Sequence, residues 1–174
     1  MRSTLETERL ILRPLEFADA ARIARFTSDP EVARMVGAIP LPHPRICVEG
    51  WILIMKARQP LGTDHVFGVE LPGEGLIGCV GAHERRGGVI EVGYWFARPY
   101  WGCGYATEAT RAVAQAARDL GRVMAAHFVD NPASGRVLEK VGFAYTGEIE
   151  QRFSLARGEK VDTRLMALRA QAAN

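Results

Sequence analysis

The sequence predicts an α/β fold: a mixed, mostly antiparallel sheet of about seven strands flanked by helices. Three observations carry this. The middle of the chain holds three β-rich runs, 66–71, 76–83 and 89–96, parted by Pro-Gly, Gly-Glu-Gly and Gly-Gly turns, with no room for helices between them. From residue 105 onward the periodicity switches to helix, strand, helix, and then two closing strands. The chain has 174 residues, 48% of them hydrophobic, which suits one domain, 1–174, with a core of its own.

Taken in order, 5–12 mixes β-branched and aliphatic residues and predicts the first strand. Residues 16–28 carry Phe17, Ala20, Ala21 and Ala24 at helical spacing. Ser28-Asp29-Pro30 starts a short second helix, with proline at its first position. Three prolines make 38–44 a loop. A helix over 45–58 follows, with Cys47, Trp51, Leu53 and Ile54 as the expected buried positions. The three middle runs form an antiparallel meander. Residues 105–120 make an amphipathic helix with the stripe Ala109, Ala112, Val113, Ala116 and Leu120, ended by Gly121. A strand over 123–129 leads to Asn131-Pro132, which opens a helix that runs to Val141 and stops at Gly142. Residues 143–153 and 161–168 close the sheet.

Charge and composition narrow the function. Lys and Arg total 22 against 20 Asp and Glu, a net charge of +2, which gives no general case for nucleic-acid or membrane binding. The longest strongly apolar run, 51–55, is far short of the ~20 residues of a membrane span, and the first residues carry charges throughout, so a cytoplasmic protein is expected. Cys47, Cys79 and Cys103 are too few and too scattered for a disulfide framework. His43, His65, His83 and His127 are equally scattered, and the His83 segment lacks the second histidine of a zinc helix, so no metal is expected.

The most informative stretch is Glu91 to Ala109. A strand runs into the small-residue loop Gly102-Cys103-Gly104-Tyr105-Ala106 and then into a helix. Glycines let backbone amides approach a ligand, and the helix end adds unpaired N–H groups and partial positive charge. Together they suit a phosphate or pyrophosphate; a plain turn and helix start reads the same residues. A Walker loop fails, since no lysine follows the glycines. A dinucleotide fingerprint fits poorly: Thr107 holds the third glycine's place, five residues intervene after the strand, and a meander precedes it, although Asp130 falls where a ribose-binding acid would. The second stretch is Asn131 to Phe143, with Asn131 as cap, Pro132 in the first turn and Ser134 beside them. In a β-α-β-α arrangement two successive helix starts face one edge of the sheet, and a long anionic ligand fits between them.

These residues carry a family resemblance. Trp101-x-x-Gly104-x-Ala106 followed by Thr107-Glu108-Ala109 resembles the pyrophosphate loop of the GNAT superfamily of N-acetyltransferases. Asn131-x-x-Ser134-x-Arg136-Val137-Leu138-Glu139-Lys140-Val141-Gly142-Phe143 resembles its next characteristic segment. Glu8-Arg9-Leu10-Ile11-Leu12-Arg13-Pro14 is similar to the first strand of the ribosomal-protein N-terminal (alanine/serine) acetyltransferase branch. The resemblance covers nearly the whole chain and implies a sheet splayed between its fourth and fifth strands. It implies acetyl-CoA as co-substrate, with no metal. Amides of Gly102, Cys103, Gly104, Tyr105, Ala106 and Thr107 would hold the pyrophosphate, with Trp101 at the loop's head. Phe96, Ala97 and Arg98, at the end of the splayed strand, would pair with the pantetheine arm, and Asn131 and Ser134 would contact it near the sulfur.

Two positions depart from the family pattern. Trp101 stands where Gln or Arg is usual, as it often does in this branch. Leu138 stands where many relatives have the tyrosine that protonates the leaving thiolate; the branch resemblance implies Ser134 as the acid instead. Transfer also needs a neutral amine. An α-amino group with a pKa near ~8 needs little help, whereas a lysine amine near ~10.4 needs a base. Glu91, at the start of the strand before the loop, is the expected base, with Glu84, Glu150 and His83 as alternatives. A thiol intermediate on Cys103 is disfavoured, because its loop binds phosphate. Tyr94 and Trp95 read as core or groove-lining aromatics, and Arg98, Arg111 and Arg136 as either phosphate partners or surface residues. The acceptor groove is expected from 33–58 and 153–159. The expected activity is acetyl transfer to a primary amine by direct attack in a ternary complex, on a protein N-terminus or a small molecule such as a polyamine or antibiotic, by a monomer or homodimer. A non-catalytic CoA-sensing module of the same fold and a dinucleotide oxidoreductase are the other readings.

Overall fold

The computed structural model describes residues 1 and 3–170. Eight strands form a single sheet in the order β1-β2-β3-β4-β5-β6-β8-β7. They are β1 (Leu5–Glu6), β2 (Ile11–Pro14), β3 (Asp64–Leu71), β4 (Gly75–Arg85), β5 (Val89–Phe96), β6 (Arg122–Phe128), β7 (Phe143–Ser154) and β8 (Glu159–Leu168). The helices are α1 (Ala20–Thr27), α2 (Pro30–Ala33), α3 (Arg45–Arg58), α4 (Tyr105–Ala116) and α5 (Pro132–Val141). Every neighbouring pair is antiparallel except β5 and β6, which run parallel because α4 crosses between them.

The extra strand comes from the N-terminal segment. Residues 5–12 are not one strand: the polar Thr7-Glu8-Arg9 stretch turns the chain back, and β1 pairs with β2 as a hairpin. The Thr7 amide donates to the Leu10 carbonyl at 3.0 Å, and the Leu10 amide donates to Thr7 Oγ1 at 3.1 Å. A hydroxyl thereby supplies a bond that a longer strand would have found in a neighbour.

The middle of the sheet is covered on both faces. Against one lie α4 and α5, over a core that includes Leu12, Phe67, Val80, Val92, Val113, Leu138 and Met166. Against the other lie α1, α2 and α3, over Leu15, Ile23, Val48, Ile52, Cys79 and Trp95. Helix α3 keeps the expected bounds but turns a different face inward. Val48 and Ile52 are its buried residues and Trp51 is half-buried, while Cys47, Leu53 and Ile54 are exposed. Apolar residues ring this helix, so periodicity alone does not choose the face; the i, i+4 pair Val48 and Ile52 does, by packing with α1 residues in the same cluster. Helix α4 is rotated likewise. It buries Ala109, Thr110, Val113 and Ala114, while Leu120 lies beyond it in a short 3₁₀ turn and is exposed. None of the helices among the described residues is long and apolar enough to cross a membrane.

The feature that positions the site is the parting of β5 from β6. They pair only from Val89 to Val92, against Arg122 to Ala125. Beyond that point β5 stays with β4, down to Phe96 opposite Gly78, and β6 stays with β8, down to Phe128 opposite Thr163. Each strand follows its antiparallel partner, and a wedge opens between them from Gly93 onward.

Candidate active site

The mouth of the wedge is flanked by two helix starts. The first is the loop into α4. Gly102 and Gly104 hold φ of +76° and +84°, a region that L side chains rarely adopt. A Cβ on Gly102 would meet nothing within 4 Å, so the glycine there leaves open space in front of the loop. Glu108 is the first helical amide seen to bond back, to the Gly104 carbonyl at 3.1 Å, and the amides ahead of it are those that helix geometry leaves without partners. The loop is braced from both sides. Trp101 Nε1 donates to the Phe96 carbonyl at 2.7 Å. Arg9, from the β1–β2 turn, donates to the Cys103 carbonyl at 3.1 Å and stacks on the Tyr105 ring with its guanidinium carbon 4.6 Å from the centroid.

Sequence reasoning used Arg9 and Glu108 only as family markers, but here they hold the loop. The Glu108 carboxylate accepts from Thr7 Oγ1 at 2.6 Å, from the Arg9 amide at 2.8 Å and from Arg9 Nε at 2.7 Å. Burial alone would raise its pKa, but these donors hold it below the usual carboxylate range. The N-terminal hairpin is thus tied to the first turn of α4, and a neutralised carboxylate leaves that helix end positive for an anion.

The second helix start is α5. Asn131 caps it, its side-chain oxygen accepting from the Ser134 amide at 3.1 Å. Ser134 Oγ lies 2.7 Å from the hydroxyl of Tyr94, which comes from β5 and spans the wedge. Burial pushes the Tyr94 phenol up to about 12, against the opposing effect of the Ser134 hydrogen bond. Leu138, one turn along α5, is fully buried in the core. Arg98 turns away to Asp29, at 3.0 Å, Arg111 donates to the Lys140 carbonyl at 2.9 Å, and Arg136 lines a separate cleft with His127, Tyr145 and Arg164.

The opposite face of the sheet, toward α3, carries the charged groups. Glu91 sits where it was expected, but both its oxygens are engaged. Arg152 from β7 donates to Oε1 at 2.6 Å and Arg85 to Oε2 at 3.3 Å. Burial would raise its pKa; the two guanidiniums outweigh burial and hold it low. Glu150 pairs with Arg152 as well. Across β4 from Glu91 stands His83. Its Nδ1 lies 2.6 Å from Asp64 Oδ1, on β3. Asp64 was not singled out from sequence; the signal available was its place opposite His83 in a strand pair, which needs the register.

The β7–β8 turn meets the loop after α2: the Leu155 amide donates to the Gly37 carbonyl and Arg157 Nε to the Arg34 carbonyl, both at 2.9 Å. Arg157 also holds Asp130 through two bonds, at 2.8 and 3.0 Å. Of the segments expected to build an acceptor groove, 33–58 and 153–159, Arg34 and Gly37 thus touch Arg157 and Leu155, while α3 packs on α1 and β3.

The family model described as the acetyltransferase (GNAT) domain matches residues 9–144. The uncharacterized N-acetyltransferase YoaA of Bacillus subtilis is 31% identical, over 94% of this chain and 95% of its own length. Among solved structures, Mycobacterium smegmatis RimJ in complex with CoA-disulfide is 25% identical with a TM-score of 0.79, covering 93% of this chain and 82% of that one. The ribosomal-protein-S5-alanine acetyltransferase of Vibrio fischeri shares the fold at 22% identity and a TM-score of 0.80, covering 95% and 96%.

Proposed function

This chain belongs to the GNAT acetyltransferase family, and from that premise we propose that it moves an acetyl group from acetyl-CoA to a primary amine by direct attack within a ternary complex. The observation that carries the reading is the wedge between β5 and β6 with two helix starts at its mouth. A thin arm fits between the strands, and a pyrophosphate fits the positive-φ glycines of the α4 loop. Backbone groups of β5 past Val92 that no longer face β6 are available to the arm, and an amide among them stabilises the oxyanion.

In this reading Gly102 to Thr107 hold the pyrophosphate and Phe96 to Arg98 line the arm's path. The Asn131 side-chain oxygen is committed to its cap, which leaves the amide NH₂ to donate. Ser134 gives its proton to the leaving thiolate and draws on the Tyr94 hydroxyl behind it, so the two residues act in series where other family members use one tyrosine. Leu138 keeps to packing. Glu91, its charge balanced by Arg152 and Arg85, holds those two guanidiniums in place beside the groove. For the acceptor, the resemblance of Glu8 to Pro14 to the ribosomal-protein branch favours a protein N-terminus.

Calorimetric titration with acetyl-CoA, with NADH as control, tests the donor. Binding of acetyl-CoA alone is expected; binding of neither, or of NADH, overturns the reading. Ser134→Ala is then expected to slow transfer by ~10- to 100-fold with little change in acetyl-CoA affinity, and Tyr94→Phe to slow it less. Unchanged single-turnover rates in Ser134→Ala would leave solvent as the acid.

A further inference from the structure

On the acetyltransferase reading above, we propose that His83, oriented by Asp64, is the base that takes the proton from the acceptor amine. The two residues are direct cross-strand partners, on β4 and β3. Asp64 is buried and its carboxylate can only accept, so the 2.6 Å contact is a hydrogen bond donated by His83 Nδ1. That fixes the tautomer: the Nε2 of the neutral ring carries the lone pair. Thr63 Oγ1 at 3.2 Å and Arg58 at 3.4 Å hold the other Asp64 oxygen, so the carboxylate cannot swing away. Nε2 itself makes no hydrogen bond among the described residues.

The lone pair has somewhere to act. The ring leans along β4 over Gly81, where a Cβ would lie 2.8 Å from Nε2. Gly81 pairs with Gly93 on β5, and a Cβ on Gly93 would meet nothing within 4 Å. The imidazole and Val66 cover Gly81, and Gly93 leaves bare floor beside the ring. Gly93 is also the first β5 residue past the pairing with β6, so this floor borders the wedge through which the thioester would arrive. Glu91 competes poorly for the same role, because Arg152 and Arg85 already take its oxygens.

The proton balance is simple. The ammonium of the acceptor gives one proton to Nε2, and the freed nitrogen pair forms the C–N bond. The carbonyl electrons return as the C–S bond breaks, and the thiolate takes a proton from Ser134. The second amine proton leaves as the amide forms and restores that hydroxyl through Tyr94 or solvent. His83 returns its proton to solvent. Groups that set the field around the ring are Asp64 and His65 on β3, Arg58 at the end of α3, Arg85 on β4, Glu91 on β5, and Arg152 and Glu150 on β7.

The test compares wild type with His83→Gln, Asp64→Asn and Glu91→Gln, using acetyl-CoA and a panel of primary amines and short peptides. His83→Gln is expected to bind acetyl-CoA as wild type does and to lose about 10²-fold or more in kcat/KM at neutral pH, chiefly in kcat. Its rate should recover as the pH passes the amine's own pKa. Asp64→Asn, which no longer fixes the ring's tautomer, should lower kcat while KM and acetyl-CoA affinity hold, and should recover at high pH in the same way, whereas Glu91→Gln should change mainly KM. A His83→Gln profile that matches wild type overturns the proposal. The readout that needs no acceptor is the His83 ring signal in NMR: it should shift saturably with acetyl-CoA, and a silent signal in a protein that binds acetyl-CoA overturns the role of His83 alone. Absence of acetyl-CoA binding by wild type overturns the acetyltransferase reading itself.

Discussion

Gly104→Val is expected to weaken acetyl-CoA binding by about 10²-fold while leaving the fold in place. Gly104 holds φ at +84°, and a β-branched residue is strained there by ~1–3 kcal/mol. Its Cβ would also lie 3.3 Å from Arg9 NH2, the guanidinium that braces the loop through the Cys103 carbonyl. The protein relieves the strain by moving the loop, which in the proposed function presents amides to the pyrophosphate. A loss of about 3 kcal/mol in the bound state corresponds to a little over 10²-fold in Kd. Gly102 to Gly104 are exposed, so far-UV circular dichroism and the unfolding midpoint should barely change. Calorimetry decides it: wild-type affinity in Gly104→Val would remove this loop from the donor site.

Gly78→Val should do the reverse and act on stability first. Gly78 faces Phe96 across β4 and β5. A Cβ there would lie 2.5 Å from the Trp95 carbonyl oxygen and 2.8 Å from the Phe96 ring. One obstacle is backbone and cannot rotate away. A cost of ~3 kcal/mol or more is expected, at the upper end for overpacking, with a drop in Tm of roughly 6–12 °C for a chain of this size. Gly93→Val is the contrast. It sits on the neighbouring strand β5 with open space above it, so stability should hold within about 0.5 kcal/mol. The groove floor is filled, however, and amine turnover should fall while acetyl-CoA binding persists. Equal melting curves for Gly78→Val and wild type would show that β5 yields at the wedge.

Much of this was legible in the sequence because it rests on local chemistry. The meander, the small-residue loop into α4 and the Asn131-Pro132 start of α5 are set by turn residues, caps and positive-φ glycines, all of which act within a few positions. The family resemblance rested on the same short segments. What could not be read was which face of a helix turns inward when apolar residues ring it, as on α3, where Leu53 and Ile54 were expected inside and are exposed. The split of the first strand was hidden too, since the Thr7 turn depends on Glu108, a hundred residues away. The Asp64–His83 pair and the arginines around Glu91 were invisible for the same reason. They depend on strand register and on β7 reaching back to β5, and sequence spacing records neither.

The parting of β5 from β6 also has a thermodynamic consequence. A sheet that stops pairing halfway leaves part of its backbone to water, where those groups gain less than a ladder partner would give. A ligand arm that takes their place binds the native chain and has no counterpart site in the unfolded one. The free energy of unfolding then rises with donor concentration as RT ln(1 + [L]/Kd), about 2.7 kcal/mol at a hundredfold excess over Kd. On the proposed function the donor is in this sense a missing strand, and the lifetime of the folded chain follows the supply of the molecule it consumes.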